Sequence, residues 1–105
     1  MKRDEILANG YLIRTGIKGC DFIVLNPLMF PFPDEELKTL DQIILPDSQF
    51  WNEIKSAAWS ASCHYFFVVN EESIIIGGPH TDNAIICNRT DKIFKLYTDI
   101  IYKRA

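Results

Sequence analysis

At 105 residues, 48% of them hydrophobic and 24% charged, the chain is sized for one domain, residues 1–105, and is too apolar for intrinsic disorder. A net charge of −3 and a pI of about 5.2 exclude the basic footprint of a protein whose main ligand is nucleic acid. The charge is also uneven: between Gly19 and Asn88 ten acidic residues face two basic ones, Lys38 and Lys55, while both flanks are net basic.

Cys20, Cys63 and Cys87 are an odd and sparse set without a C-x-x-C spacing, so reduced thiols in a cytoplasmic protein are expected rather than a disulfide framework. The charged start Met1–Glu5 has no apolar run behind it, which predicts no secretory leader. The apolar stretches fall well short of the ~20 residues that a membrane helix needs.

In chain order, Asp4–Ala8 reads as a short helix closed by Asn9-Gly10, a pair suited to left-handed backbone. Tyr11–Thr15 and Asp21–Leu25 are β-rich runs separated by Gly16-Ile17-Lys18-Gly19, the pattern of a hairpin. In the second run Phe22 and Val24 share one face and Ile23 and Leu25 the other, which places that strand inside a sheet covered on both sides. Asn26–Pro33 carries Pro27, Pro31 and Pro33 around Phe30 and Phe32. It predicts a stiff connector whose aromatics lid a core.

Asp34–Ile44 has the marks of a helix: Pro33 and Asp34 at its start, acids near the positive end of the dipole, and Leu37, Leu40 and Ile44 in one stripe. Leu45-Pro46 ends it, and Asp47 or Ser48 caps a second helix running to about Ser62. Cys63–Val69 is the strongest strand. Asn70–Ser73 turns it into Ile74–Ile76, Gly77-Gly78-Pro79 breaks that strand, and Ala84–Cys87 is the next. Asp91–Lys103 is a helix capped by Thr90, with Ile93, Phe94, Leu96, Tyr97, Ile100 and Ile101 on one face. The predicted order is therefore α-ββ-α-α-βββ-α. That is an α+β fold, with an antiparallel sheet of about four to five strands and helices covering one face of it.

Several residue sets invite chemistry, and each has a plainer structural reading. Cys63 and His64 are neighbours on a strand and point to opposite faces, so each would need a distant partner: Cys63 with His80, or Cys87 with His64. The plainer reading is a buried thiol. No C-x-x-C, H-x-x-x-H or H-E-x-x-H spacing supports a metal, and no cofactor motif is present. Gly77-Gly78-Pro79-His80 lacks the lysine and the following helix of a phosphate loop, and a tight turn accounts for it. Asp34-Glu35-Glu36 and Glu71-Glu72 read singly as solvated carboxylates.

Collectively the acids point outward. Asp34, Glu35, Glu36, Asp41 and Glu53 fall on the two predicted helices after the proline-rich connector. Trp59 lies opposite the cluster Phe50, Ile54, Ala57, Ala58 and Ala61 on a helical wheel of about 100° per residue. An exposed tryptophan within an acidic helical face is the pattern of a partner-binding anchor; the competing reading packs Trp59 on another element. The functional expectation is a non-enzymatic, cytoplasmic inhibitor of the immunity-protein or antitoxin kind. Its carboxylates would occupy the positive surface of a basic, nuclease-like toxin or effector. Two other classes stand beside it: a small enzyme or ligand-binding domain with a pocket of His64, His80 and a cysteine, and a homodimer joined through an apolar surface. No direct contact with nucleic acid or membrane and no cofactor is expected.

Overall fold

The structure, a computed structural model, describes residues 11–26 and 38–104. The described elements run β1 (Tyr11–Ile17), β2 (Cys20–Asn26), β3 (Asp41–Ile44), α1 (Gln49–Ser60), β4 (Tyr65–Val69), β5 (Ser73–Gly77), β6 (Asn83–Asn88) and α2 (Lys92–Arg104). All six strands join one antiparallel sheet in the order β1-β2-β4-β5-β6-β3. The α+β class holds, with six strands in place of four or five. No described helix is long and apolar enough to cross a membrane.

The centre of the sheet is β4, where Phe66, Phe67, Val68 and Val69 are all buried. Alternation along a strand sends Phe67 and Val69 to one face and Phe66 and Val68 to the other, so both faces need cover. The register extends each face sideways. Phe22 stands opposite Val69 and Val24 opposite Phe67 on β2, and Ile76 stands opposite Phe67 on β5. This face packs with Ile93, Phe94, Tyr97 and Ile101 of α2, the i, i+1, i+4, i+8 stripe expected of a helix lying on a sheet. The other face, with Leu25, Phe66, Val68 and Ala84, packs with Ile54 and Ala58 of α1. The two helices thus lie on opposite faces, which corrects the expectation of a sheet covered on one face and bears out the inward placement of β2.

The prediction of a helix over Asp34–Ile44 fails in its described part. Asp41–Ile44 is an edge strand paired with β6, with Asp41 opposite Ile86 and Ile43 opposite Ala84. Of the predicted stripe, Leu40 is buried in the α2 core while Ile44 is 77% exposed, and Leu37 lies outside the described residues. Pairing with β3 satisfies backbone groups that β6 would otherwise leave open at the edge of the sheet, and this tertiary term outweighs a weak helical stripe. The Asp4–Ala8 helix, most of the proline-rich connector and the first turn of the predicted 34–44 helix lie outside the described residues.

Elsewhere local chemistry sets the boundaries. Gly16 and Gly19 adopt positive φ in the irregular part of the β1–β2 hairpin. Ser48 caps α1, its hydroxyl accepting the Trp51 N–H at 3.4 Å. At the other end Ser62 turns to φ 56°, and the Cys63 N–H returns to the Ala58 carbonyl at 2.8 Å. The Asn70 side chain accepts the N–H groups of Glu72 and Ser73, each at 2.7 Å, and so closes the β4–β5 turn. Asp91, rather than Thr90, directly precedes α2, and its carboxylate accepts the Asn88 N–H at 2.7 Å.

α1 returns the chain from outer β3 to central β4. Its 12 residues span about 18 Å at ~1.5 Å per residue, enough to cross three strand spacings of roughly 4.8 Å. It therefore runs beside the loop that joins β5 to β6, which fixes the position of the candidate site.

Gly77 makes the tightest packing demand. A Cβ there would sit 2.7 Å from the Phe66 ring, whereas one at Gly78 would meet the His64 carbonyl oxygen at 3.3 Å. Because Phe66 is fully buried and cannot swing aside, Gly77→Ala is expected to cost about 1–3 kcal/mol, read as a lower urea midpoint, with Gly78→Ala costing less. Equal, negligible losses at the two positions would contradict the packing account.

Candidate functional site: the ridge at Trp59 and His80

On α1, Lys55 and Trp59 are one turn apart and project from the same side. The β5–β6 loop presents Asp82 and His80, two residues apart, to these positions. The Lys55 ammonium donates to the Asp82 carboxylate, and the Trp59 and His80 rings meet edge to face, with centroids 4.6 Å apart at 86°. The loop is held from the other side as well, since the Leu45 N–H donates to the Asp82 carbonyl at 2.7 Å. Lys55 is largely covered and Asp82 is open to solvent, so the pair contributes at most about 1 kcal/mol. Its larger effect is on charge, because it neutralises a cation in an otherwise acidic stretch.

Trp59 remains 63% exposed in spite of its contact with His80. The rest of α1 follows the wheel. Ile54 and Ala58 are buried, Phe50, Trp51 and Ala61 are half-buried, and Trp51 packs on Phe66 with centroids 6.3 Å apart. Ala57 departs from the expected cluster and is exposed. Burial therefore goes to Trp51, and Trp59 is left in solvent.

The predicted partner-binding residues are spread out. Glu53 is exposed on α1 and accepts a hydrogen bond from the Gln49 amide at 3.0 Å. Asp41 is exposed on edge strand β3, not on a helix as the sequence suggested. Asp34, Glu35 and Glu36 lie outside the described residues. A recess of about 410 Å3 at Trp59 is lined by Ser62, Cys63, His64, Pro79 and His80, with no carboxylate among them.

Cys63, His64 and His80 thus meet at one place, as the pocket alternative required; Cys63 and His64 precede β4 and line the same recess, which corrects the expectation that they lie on a strand and point to opposite faces. The thiol is nevertheless poorly suited to attack. Cys63 is buried, its sulfur lies 3.6 Å from the Ala61 carbonyl, and burial raises its pKa. A raised pKa leaves the thiol protonated, the opposite of an activated nucleophile. The other candidate pair is separated: Cys87 is fully buried in the α2 core, whereas His64 is exposed at the sheet end. Burial, with a smaller contribution from the Asp91 charge, pushes the Cys87 thiol up to about 12. Among the described residues, no three of His, Cys, Asp and Glu converge to hold a metal ion. The glycine pair is explained by the Phe66 contact and leads into β6, not into a helix that could face a phosphate.

The His80 contact with Trp59 and the Asp82 contact with Lys55 were not read from the sequence. A signal existed: an i, i+4 Lys/Trp pair on a helix matches a His-x-Asp loop in charge and spacing, but nothing local says that the two meet. Compared with protein-family models, curated sequences and solved structures, the chain gives no significant match.

Cys87 gives the fold a definite alkaline signature. Its pKa is about 9 when unfolded and about 12 when folded, so between these values the unfolded chain has lost a proton that the folded chain keeps. The thiol's contribution is full below pH 9, falls as pH rises toward 12, and is then exhausted. Chemical denaturation across this range is expected to show declining stability, with a shallower decline in Cys87→Ala. An unchanged slope in that variant would contradict the assignment.

Proposed function

We propose that the protein is a non-enzymatic binding protein of the inhibitory kind, akin in action to immunity proteins and antitoxins, that engages a basic protein partner through α1 and its flanking acids. The exposure of Trp59 carries this reading. A large aromatic ring left 63% open, on a helix whose other tryptophan is packed inward, has the character of an interface anchor. Charge supports it. Around α1 the chain carries Asp41, Asp47 and Glu53, all exposed, and the cation on that helix, Lys55, is neutralised by Asp82; Glu71 and Glu72 belong to the β4–β5 turn, where Arg89 lies 3.7 Å from Glu72. Such a surface attracts a cationic partner at long range and repels nucleic acid, so it would act by covering the positive patch that a nuclease-like effector uses. Three buried free thiols suit a reducing, cytoplasmic setting.

The experiment is affinity purification from the source cell with wild-type protein and with Trp59→Ala as bait. Wild type is expected to retain a lysine- and arginine-rich protein, and the variant to bind it more weakly by about 2 kcal/mol or more, roughly 30-fold in Kd, with an unchanged urea midpoint. A partner held equally by both baits would remove Trp59 from the interface. For the same partner, Asp41→Lys combined with Glu53→Lys is expected to slow association, most strongly at low salt. An on-rate independent of both charge and salt would dismiss the acidic surface.

A further inference from the structure

The sequence contains two histidines, and the fold brings both to the recess beside Trp59. His64 precedes β4, and His80 lies in the β5–β6 loop. Both are exposed, and the His80 ring meets the Trp59 ring edge to face with centroids 4.6 Å apart. Histidine is the side chain that ordinarily changes charge between about pH 5 and 8. Every histidine of the chain therefore stands at the proposed anchor. Among the described residues, the other titratable groups facing this place are Cys63 in the recess, Tyr65 in the adjoining cleft, and Lys55 and Asp82, which pair with each other. Amines, carboxylates and phenols ordinarily titrate outside that range. Burial moves the Cys63 thiol further above it.

The consequence depends on what the ridge meets. Protonating both imidazoles adds two positive charges to the contact surface itself. The exposed acids Asp41, Asp47 and Glu53 lie outside the recess, and carboxylates ordinarily stay ionised above about pH 5. A cationic partner is then still attracted from a distance but meets like charge at the anchor, which costs affinity. The sign follows from linkage: a partner that favours the neutral imidazoles is released as they take up protons, and its binding expels those protons. We infer that His64 and His80 make the Trp59 ridge proton-sensitive, so that a cationic partner is held at pH 8 and released toward pH 5.5. This inference rests on the inhibitory reading, because it requires the partner to be basic. The His80–Trp59 contact also supplies a reporter of the charge that needs no partner, since charging His80 alters the field at the Trp59 indole.

The test uses the full chain, with a hexa-arginine peptide at low salt as the cationic probe, at pH 8 and pH 5.5. In two-dimensional NMR of the free protein, the Trp59 indole N–H resonance is expected to move with the His80 ring protons between these values, and to stay in place in His80→Gln. The peptide is expected to bind the wild type about tenfold more weakly at pH 5.5 than at pH 8. The double variant His64→Gln with His80→Gln should bind it within about twofold at the two values, because no imidazole is left to charge. Both substitutions are at exposed positions, and an unchanged urea midpoint checks that the fold is kept. The inference is overturned if the indole resonance does not follow His80, if the wild type holds the peptide equally at both pH values, or if the double variant loses affinity as the wild type does. A peptide that binds at neither pH while the indole transition is present would remove the cationic partner, and this inference with it. The indole measurement, made without a partner, distinguishes that outcome from failure of the proton-sensitive contact alone.

Discussion

Central strand β4 is the constraint on which the fold depends. Four consecutive large side chains, Phe66 to Val69, are each no more than 5% exposed, and burying each contributes on the order of 1.5–3 kcal/mol. That is achievable only if the strand has neighbours on both edges and cover on both faces. β2 and β5 supply the edges in register, and α1 and α2 supply the faces. Gly77 follows from the same demand, because the Phe66 ring occupies the space that any side chain there would need. Two-sided burial also forces α1 across the sheet rather than alongside it, and so brings Trp59 and Lys55 to the β5–β6 loop.

Much of this was legible in the sequence where pattern and packing agree. β2 and β4 are apolar at every central position, and α2 has an apolar stripe that no other element could use. The β1–β2 and β4–β5 turns carry Gly and Asn where their backbones need them. Legibility failed where a short segment had to choose between two weak signals. Asp41–Ile44 carries both helical spacing and a β-branched pair, and only the open edge of β6 decides between them. That edge is a tertiary fact, invisible until the order of the strands is known. Placing both helices on one face failed for a similar reason. The alternation in β2 already demanded cover on two sides, but the sequence did not say which helix serves which face.

The candidate site was legible in part. The helical wheel left Trp59 without a place in the core, and it has none. The acidic helical face was less accurate: Asp41 belongs to a strand, and the recess next to Trp59 is lined by imidazoles, a thiol and a proline rather than by carboxylates. Long-range attraction and close contact are therefore assigned to different groups in the proposed function. In that proposal exposed acids on β3, α1 and the loop between them would supply the field, and the Trp59–His80 ridge the contact. The cysteines illustrate how burial decides chemistry. Cys63 shares a recess with two histidines, yet its sulfur stays in a setting that favours the thiol.

The account depends most directly on Trp59 standing in solvent while Trp51 does not. Trp51→Phe leaves Trp59 as the sole tryptophan, and acrylamide quenching of its fluorescence in the folded protein measures its accessibility. The structure predicts quenching nearly as efficient as that of a free tryptophan derivative in the same buffer. Strong protection, lost only on unfolding, would place Trp59 in the core and remove the anchor on which the proposed function depends.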